Sequence, residues 1–381
     1  MDFALTDEQQ AIFDTARDFG RERIAPHALA WEAEGTIPRA LLEEAGALGF
    51  AAMTVPEDQG GAGLNRLDTT LVIEALAMAC PTVASFISIH NMCAAMIATY
   101  ATPAFRDRWL PRVATMQAVV SYCLTEPGSG SDAAALRTRA TPTDTGWTLD
   151  GTKAFISGAG LSDLYIVMAR TGAEGPRGVS ALVVEAGAPG LSFGAQERKM
   201  GWKAQPTAQV QLDACPVPAE ALLGEEGHGF RYAMKGLDGG RLNIAAAALG
   251  GAQTALDTAL SYTGERQAFG QAIRDFQTVQ FRLADMETEL QAARVFLRQA
   301  AWKLDAGAPD ATKHCAMAKR LVTDTAFRVA NEALQLLGGY GYLADYGVEK
   351  LVRDLRVHQI LEGSNEIMRV IVARALLAEQ A

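Results

Sequence analysis

Apolar positions in the first third of the chain recur at helical spacing. Thr6 and Gln9 make a capping-box pattern, and Ile12, Phe13, Ala16 and Phe19 follow on one face. Leu41, Leu42, Ala45 and Leu48 predict a second helix, stopped by Gly49. Residues 56–65 (PEDQGGAGLN) read as a loop, and Leu67, Leu71, Ala75 and Met78 begin a third helix that Pro81 interrupts. A further apolar segment runs from Phe86 to Tyr100. From about residue 119 the texture changes to short β-rich runs between Gly, Pro and Asp clusters: 119–124, 147–149, 164–169, 179–184 and 208–212. No helical crossovers alternate with these runs, which argues for an antiparallel sheet or barrel rather than a βαβ layout. From about residue 226 the helical period returns. It is clearest at Val279, Leu283, Met286, Leu290, Ala293, Leu297, Ala300 and Leu304, a seam suited to an up-down bundle or a subunit contact. The chain thus reads as mainly α with a central β domain: helical over 1–118, β over 119–225, helical over 226–381.

Composition narrows the class. A chain of 381 residues exceeds what one hydrophobic core usually serves, and 49% hydrophobic with 20% charged residues excludes a disordered chain. A net charge of −10 disfavours a nucleic-acid partner. The cysteines at 80, 93, 123, 215 and 315 are odd in number and lack a C-x-x-C pair, so neither a disulfide framework nor a zinc ribbon fits, and a reducing compartment does. The start, MDFALTDEQQ, has neither a secretory nor a transit look. The stretch Ile244–Ala252 is too short for a span needing about 20 apolar residues, so no membrane is expected. A cytoplasmic protein is expected, or a mitochondrial-matrix one if the chain is a processed form.

Four constellations could carry chemistry. In YCLTEPGSGSD (122–132) a strand enters a Gly/Ser loop, which serves either as a plain turn or as a cradle for polar ligand atoms. It is neither G-x-G-x-x-G nor a phosphate loop. In KAFISGAG (153–160), Phe155 and Ser157 share a strand face and could flank a planar ring or be a core Phe and a turn Ser. In RQAFG (266–270), Arg266 suits phosphate oxygens and Phe269 suits stacking, unless the arginine is only a solvated helix end. In HQILEGSNEIMR (358–369), Glu362 precedes Gly363, while Ser364 or Asn365 can cap the last helix; the carboxylate is a candidate general base or a surface acid. Asp354, His358 and Glu362 have i, i+4, i+8 spacing, but Arg353 and Arg356 oppose a cation, so no metal site is expected. No G-x-S-x-G elbow is present, and His27, His90, His228 and His314 read as structural.

Taken together, YCLTEPGSGSD, KAFISGAG, LDGGR (237–241), RQAFG, QLLGGYGY (335–342) and LEGSNE (361–366) resemble the acyl-CoA dehydrogenases along the full chain. SFISIHNMCAAM (85–96), GWKAQPT (201–207) and HQILEGSNEIMR look most like members that act on isobutyryl-CoA in valine degradation. The resemblance implies an N-terminal α bundle, a middle β-barrel and a C-terminal four-helix bundle, assembled as a homotetramer. It also implies noncovalent FAD and an electron-transfer flavoprotein as electron acceptor. Carried over by motif, Tyr122, Cys123, Leu124, Thr125, Glu126, Pro127, Gly128, Ser129, Gly130 and Ser131 line the flavin, with Ser131 also reaching the CoA side. Phe155, Ile156 and Ser157 flank the isoalloxazine. Arg266, Phe276 and Gln277 resemble positions on the pyrophosphate and adenine, with Gln335, Leu336, Leu337, Gly338 and Gly339 doing so from another subunit. Ser364, Asn365 and Glu366 complete that site. Asp238, Gly239, Gly240, Arg241 and Arg374 resemble substrate contacts, with Asp238 a departure where some relatives carry Asn, and Glu362 takes the place of the catalytic base.

The implied reaction removes an α-proton from a thioester, a far weaker acid than a carboxyl of pKa about 4. Donors must therefore polarise the thioester carbonyl, a part the resemblance gives to the Glu362 N–H and a flavin ribityl hydroxyl, and the base must be desolvated. Isobutyryl-CoA, oxidised to methacrylyl-CoA, is the expected substrate, with 2-methylbutyryl-CoA and butyryl-CoA next. An oxidase or a non-catalytic acyl-CoA-binding scaffold of the same fold are the alternatives.

Overall fold

The structure, a computed structural model, describes residues 4–379; residues 1–3 and 380–381, at the ends of the two outer ranges, lie outside it. Six helices come first: Asp7–Phe19 (α1), Ala28–Glu34 (α2), Arg39–Ala47 (α3), Arg66–Ala79 (α4), Pro81–Tyr100 (α5) and Pro103–Val113 (α6). The capping box of α1 forms as its spacing suggests, with Thr6 Oγ1 accepting from the Gln9 N–H and Gln9 Oε1 from the Thr6 N–H, each at 3.2 Å. Pro81 breaks α4 and also opens α5: the chain extends at Cys80, and the proline takes the first turn, where a missing N–H costs nothing.

Eight strands follow: Val120–Cys123 (β1), Arg139–Thr143 (β2), Gly146–Ser157 (β3), Leu164–Arg170 (β4), Val179–Glu185 (β5), Leu191–Phe193 (β6), Thr207–Pro218 (β7) and Leu222–Leu223 (β8). They form one sheet in the order β6-β7-β3-β2-β4-β5-β8, with β1 pairing β4. Most pairings are antiparallel, but β1 runs parallel to β4 from Val120↔Leu164 to Cys123↔Val167, and β2 meets β4 in parallel at Arg139↔Arg170. Two small strands, Gln267–Ala268 (β9) and Gln271–Ala272 (β10), make a hairpin whose turn holds Phe269. Five long and short helices complete the chain: Gly229–Glu265 (α7), Gln277–Asp305 (α8), Ala311–Leu337 (α9), Val348–Arg356 (α10) and Asn365–Ala378 (α11). The apolar seam lies on α8, where Val279, Met286, Leu290, Ala293, Leu297 and Ala300 are buried and Leu283 and Leu304 are partly so.

Two apolar clusters form the core, and neither respects the sequence boundaries. One fuses α1, α3, α4 and α5 with α7 to α10; the other joins α5 and α6 to the sheet and the start of α7. Helix α5 lies between them, Phe86 and Ile87 in the first cluster, Cys93 and Ile97 in the second. That position explains its apolar surface all round: it is long and apolar enough to cross a membrane, yet 83% of that window is buried. The run Ile244–Ala252 on α7 is small for a reason: a Cβ on Gly250 would stand 2.2 Å from Glu74 O of α4. All five cysteines are free and buried.

Candidate active site

Helix α10 ends at Arg356 and a 3-10 turn covers Val357–Gln359. Glu362 (φ 54°) and Gly363 (φ 86°) then take left-handed backbone in succession, and Ser364 Oγ caps α11 by accepting from the Ile367 N–H at 3.4 Å. A glutamate in that region is strained by about 1–3 kcal/mol, so the surroundings must hold it there. Phe155 (φ 58°), Trp202 (φ 54°) and Phe269 (φ 52°), all in the motifs singled out above, share this strain.

The Glu362 side chain turns toward α7. A Cβ on Gly240 would stand 2.8 Å from its Oε2 and would have to push the carboxylate aside. Glu362 as a residue is half-buried, but Oε2 is sealed from solvent with no hydrogen-bond partner. Burial raises its pKa to about 7, with the cations Arg241 and Lys319 pulling the other way. Tyr122, on β1, also has a sealed hydroxyl without a partner, and burial pushes it well above the usual phenol range, the charge of Glu362 adding to the effect. Two unpartnered polar atoms in one electrostatic neighbourhood mark a place shaped for a ligand.

Arg241 donates to Asp238 Oδ1 at 2.7 Å, and Thr312 Oγ1 donates to Asp238 Oδ2 at 2.7 Å. Both carboxylate oxygens of Asp238 are thus engaged in aiming Arg241, which gives the aspartate a use that an asparagine could fill only in part. Gly239 faces Arg66 instead of the Glu362 cavity: a Cβ there would meet Arg66 Nη1 at 2.5 Å. Arg374 lies exposed on α11.

The Gly/Ser loop is tied to the strand beside it by the Ala154 N–H donating to Thr125 O at 2.8 Å. A Cβ on Gly128 or Gly130 would meet nothing within 4 Å, so both border open space. Phe155 sits at a register shift in the β3–β7 pairing and is 66% exposed as a residue, while Ser157 Oγ accepts from Gln205 Nε2 at 3.0 Å. Gln205 Oε1 is sealed and unpartnered. An exposed ring, open glycines and orphaned polar atoms suit a flat, polar-edged cofactor.

Not every residue carried over from the motifs can offer its side chain. Cys123 and Ile156 are buried in the sheet core, so only their backbone reaches the loop face. The Glu126 carboxylate accepts from Arg137 N at 2.6 Å, Thr138 N at 2.9 Å and Lys153 Nζ at 2.8 Å; it anchors the loop from within. Nothing in the spacing marked Lys153 as its partner. Asn365 likewise turns inward, donating to Asp324 Oδ1 at 2.7 Å. Ser364 caps a helix, and Ser129 Oγ donates to Asp132 O at 2.6 Å.

Arg266 caps α7 with its guanidinium 5.7 Å from the Tyr340 ring, beside Gln335–Gly339, and Phe276 meets Phe269 edge-on at 6.2 Å. Gly240 and Arg266 are about 39 Å apart along α7 at about 1.5 Å per residue, more than a dinucleotide spans. Arg266 therefore lies at the far end of α7 from Gly240, on which the Glu362 side chain closes. Asp354, His358 and Glu362 do not converge either: Asp354 takes the Trp202 N–H at 2.7 Å, and His358 bonds Trp202 Nε1 and Ile244 O. Burial drives His358 down to about 4, so it is neutral. His90 is a core histidine held between Val113 O and Val120 N.

Residues 6–117, 121–215 and 227–377 match the families described as the acyl-CoA dehydrogenase N-terminal, middle and C-terminal domains. The chain is 51% identical over 373 residues, 98% of its length and 90% of the relative's, to a mitochondrial isobutyryl-CoA dehydrogenase of Dictyostelium discoideum. Its fold is similar to butyryl-CoA dehydrogenase from Megasphaera elsdenii with a TM-score of 0.95 at 39% identity, covering 99% of this chain and 100% of that one. An FAD complex of PigA gives a TM-score of 0.95 at 30% identity, with 99% of each chain covered.

Proposed function

Since the chain belongs to the acyl-CoA dehydrogenase family, whose members are FAD-dependent oxidoreductases, we propose that it desaturates the Cα–Cβ bond of short branched acyl-CoA thioesters, isobutyryl-CoA foremost, with Glu362 as the base. The observation that carries the assignment of the base is the unpartnered, solvent-sealed Oε2 beside Gly240. FAD, when bound, supplies the hydride acceptor for the β-carbon. Phe155, Ser157 and the 122–131 loop would hold its ring end, and Arg266, Phe276, Gln277 and 335–339 of another copy its adenine end.

The remaining chemistry belongs to the chain. Arg241, aimed by Asp238, receives the CoA chain beside Gly239 and Gly240. The thioester enters against Glu362, completes its desolvation, and meets the Glu362 N–H, which polarises the carbonyl. Glu362 then takes the α-proton. A carboxyl near neutrality is a better match to so weak an acid than an ordinary one, and it still ionises in the working range. Electrons leave to an electron-transferring flavoprotein, and the chain works as a homotetramer; the rings of Phe269 (96% exposed) and Tyr342 (81% exposed) support a subunit contact.

Two measurements test this. Measured on isobutyryl-, 2-methylbutyryl- and butyryl-CoA with an artificial acceptor, kcat/KM is expected to be highest for isobutyryl-CoA, by about tenfold or more over 2-methylbutyryl-CoA, whose one extra methylene is worth about 1–3 kcal/mol in a pocket. A preference for the straight chain would overturn the substrate choice, and peroxide release during turnover would point to an oxidase. Second, kcat/KM should climb with pH through about 7, because only ionised Glu362 accepts a proton and burial holds it protonated below that. A limb near the ordinary carboxylate value would show that the carboxyl is solvated before reaction.

A further inference from the structure

We propose that Lys319 is a positioning residue for the base: it clamps the Glu362–Gly363 turn and, together with Arg241, supplies positive charge that lets Glu362 ionise inside the fold. The proposal rests on the reading of Glu362 as base. Lys319 lies in α9 and is wholly buried. Its ammonium donates to Gly363 O at 2.8 Å and to Asn365 Oδ1 at 2.9 Å, one acceptor on the strained turn and one on the first residue of α11. Asn365 is in turn fixed by Asp324 at 2.7 Å and by Thr323 Oγ1 at 3.0 Å. The turn thus hangs from α9 by a lysine and an amide, while Arg241 donates to Glu362 O at 3.4 Å from the α7 side.

An ammonium buried against neutral acceptors is costly, and an apolar side chain would fill the same space without that cost. Among the described residues no carboxylate makes an ion pair with Lys319, whereas Arg241 is committed to Asp238 at 2.7 Å. Of the two cations that favour ionised Glu362, Arg241 acts the more strongly and Lys319 adds to it from the α9 side. The groups that face this pair are Arg241 from α7, Asp324 on α9, Glu366 at the start of α11, neutral Tyr122 from β1, Cys93 from α5 and neutral His358 beyond α10. Burial lowers Lys319 to about 8, so it remains charged where Glu362 titrates.

The test uses the FAD-loaded protein and its K319Q and K319M variants. The titration of the Glu362 carboxyl is followed by infrared difference spectra without substrate, the band being identified as the one that E362Q removes. This readout does not depend on turnover, so a wrong assignment of the base would show in the activity of E362Q and leave the midpoint measurable. Removal of the charge is expected to move the midpoint up by about one unit in both variants, about a tenfold loss of ionised Glu362 below it. The acid limb of kcat/KM should move with it. K319Q, which keeps a donor for Gly363 O, should recover its rate at high pH; K319M, which loses the clamp as well, should stay lower. If either folded variant keeps the parental midpoint and limb while only its melting temperature falls, Lys319 is merely structural and the proposal is overturned; should K319M not fold, K319Q decides alone.

Discussion

Glu362→Gln is expected to lower kcat/KM on the acyl thioester by about 10²–10⁴-fold, the usual loss when a general base is removed, while the protein still binds FAD. Glutamine preserves the shape of the turn and the backbone N–H of residue 362, so the carbonyl is still polarised; what disappears is the acceptor for the α-proton. Flavin absorbance of the purified variant and single-turnover bleaching by isobutyryl-CoA separate the two. Retention of full activity would place the base elsewhere. Stability should move in the opposite direction. A carboxyl whose pKa is raised by folding binds more protons in the native than in the unfolded state, so it costs stability as pH rises from the ordinary carboxylate value through about 7. E362Q removes that cost, and above pH 7 it should melt at a higher temperature than the parent. The strained left-handed backbone at 362 and the sealed, unpartnered Oε2 are both unfavourable in themselves and persist because the surroundings hold the residue in place.

Asp354→Ala is expected to cost about 3–5 kcal/mol of folding stability, the range found when one partner of a buried ion pair is removed. Asp354 is wholly buried; it takes a hydrogen bond from Thr82 Oγ1 of α5 at 2.9 Å, one from the Trp202 N–H at 2.7 Å, and pairs closely with Lys350 one turn back on α10. Helix α5, the segment after β6 and α10 meet at this carboxylate, so its loss strands a buried ammonium and frees three elements at once. Denaturant unfolding measures the effect, and a loss below about 1 kcal/mol would mean that water or a neighbour takes over the bonds. Because Trp202 also bonds His358, four residues before Glu362, the same variant should lower the rate somewhat even where it is folded.

Legibility differed by element for identifiable reasons. Helices α1, α3 and α8 are visible because each buries one face and keeps a capping residue or a seam of steady period. Strand β2, Arg-Ala-Thr-Pro-Thr, is invisible because it buries only Ala140 and shows no alternation. Strand β3 is legible only in two pieces, at 147–149 and at the face given to Phe155 and Ser157, since Asp150, Gly151 and the irregular pairing around Phe155 break its period. In the candidate site, Glu362 stood out beside Gly363 and a capping serine. Lys153 and Lys319 did not, because a lysine on a regular element reads as a solvated one until its neighbours are known.

The sequence by itself determined the α-β-α order, the helices with one buried face and the motifs on which a flavin and a CoA thioester would rest, since period, caps and Gly/Ser loops are properties of a few adjacent residues. Only the tertiary structure decided that Glu126 anchors its loop from within, that Arg266 lies at the far end of α7 from Gly240, and that Lys319 grips the turn at Gly363. Those outcomes depend on burial and on charges brought together from distant parts of the chain, and desolvation and Coulomb energy are set by distance in space, which no local pattern encodes.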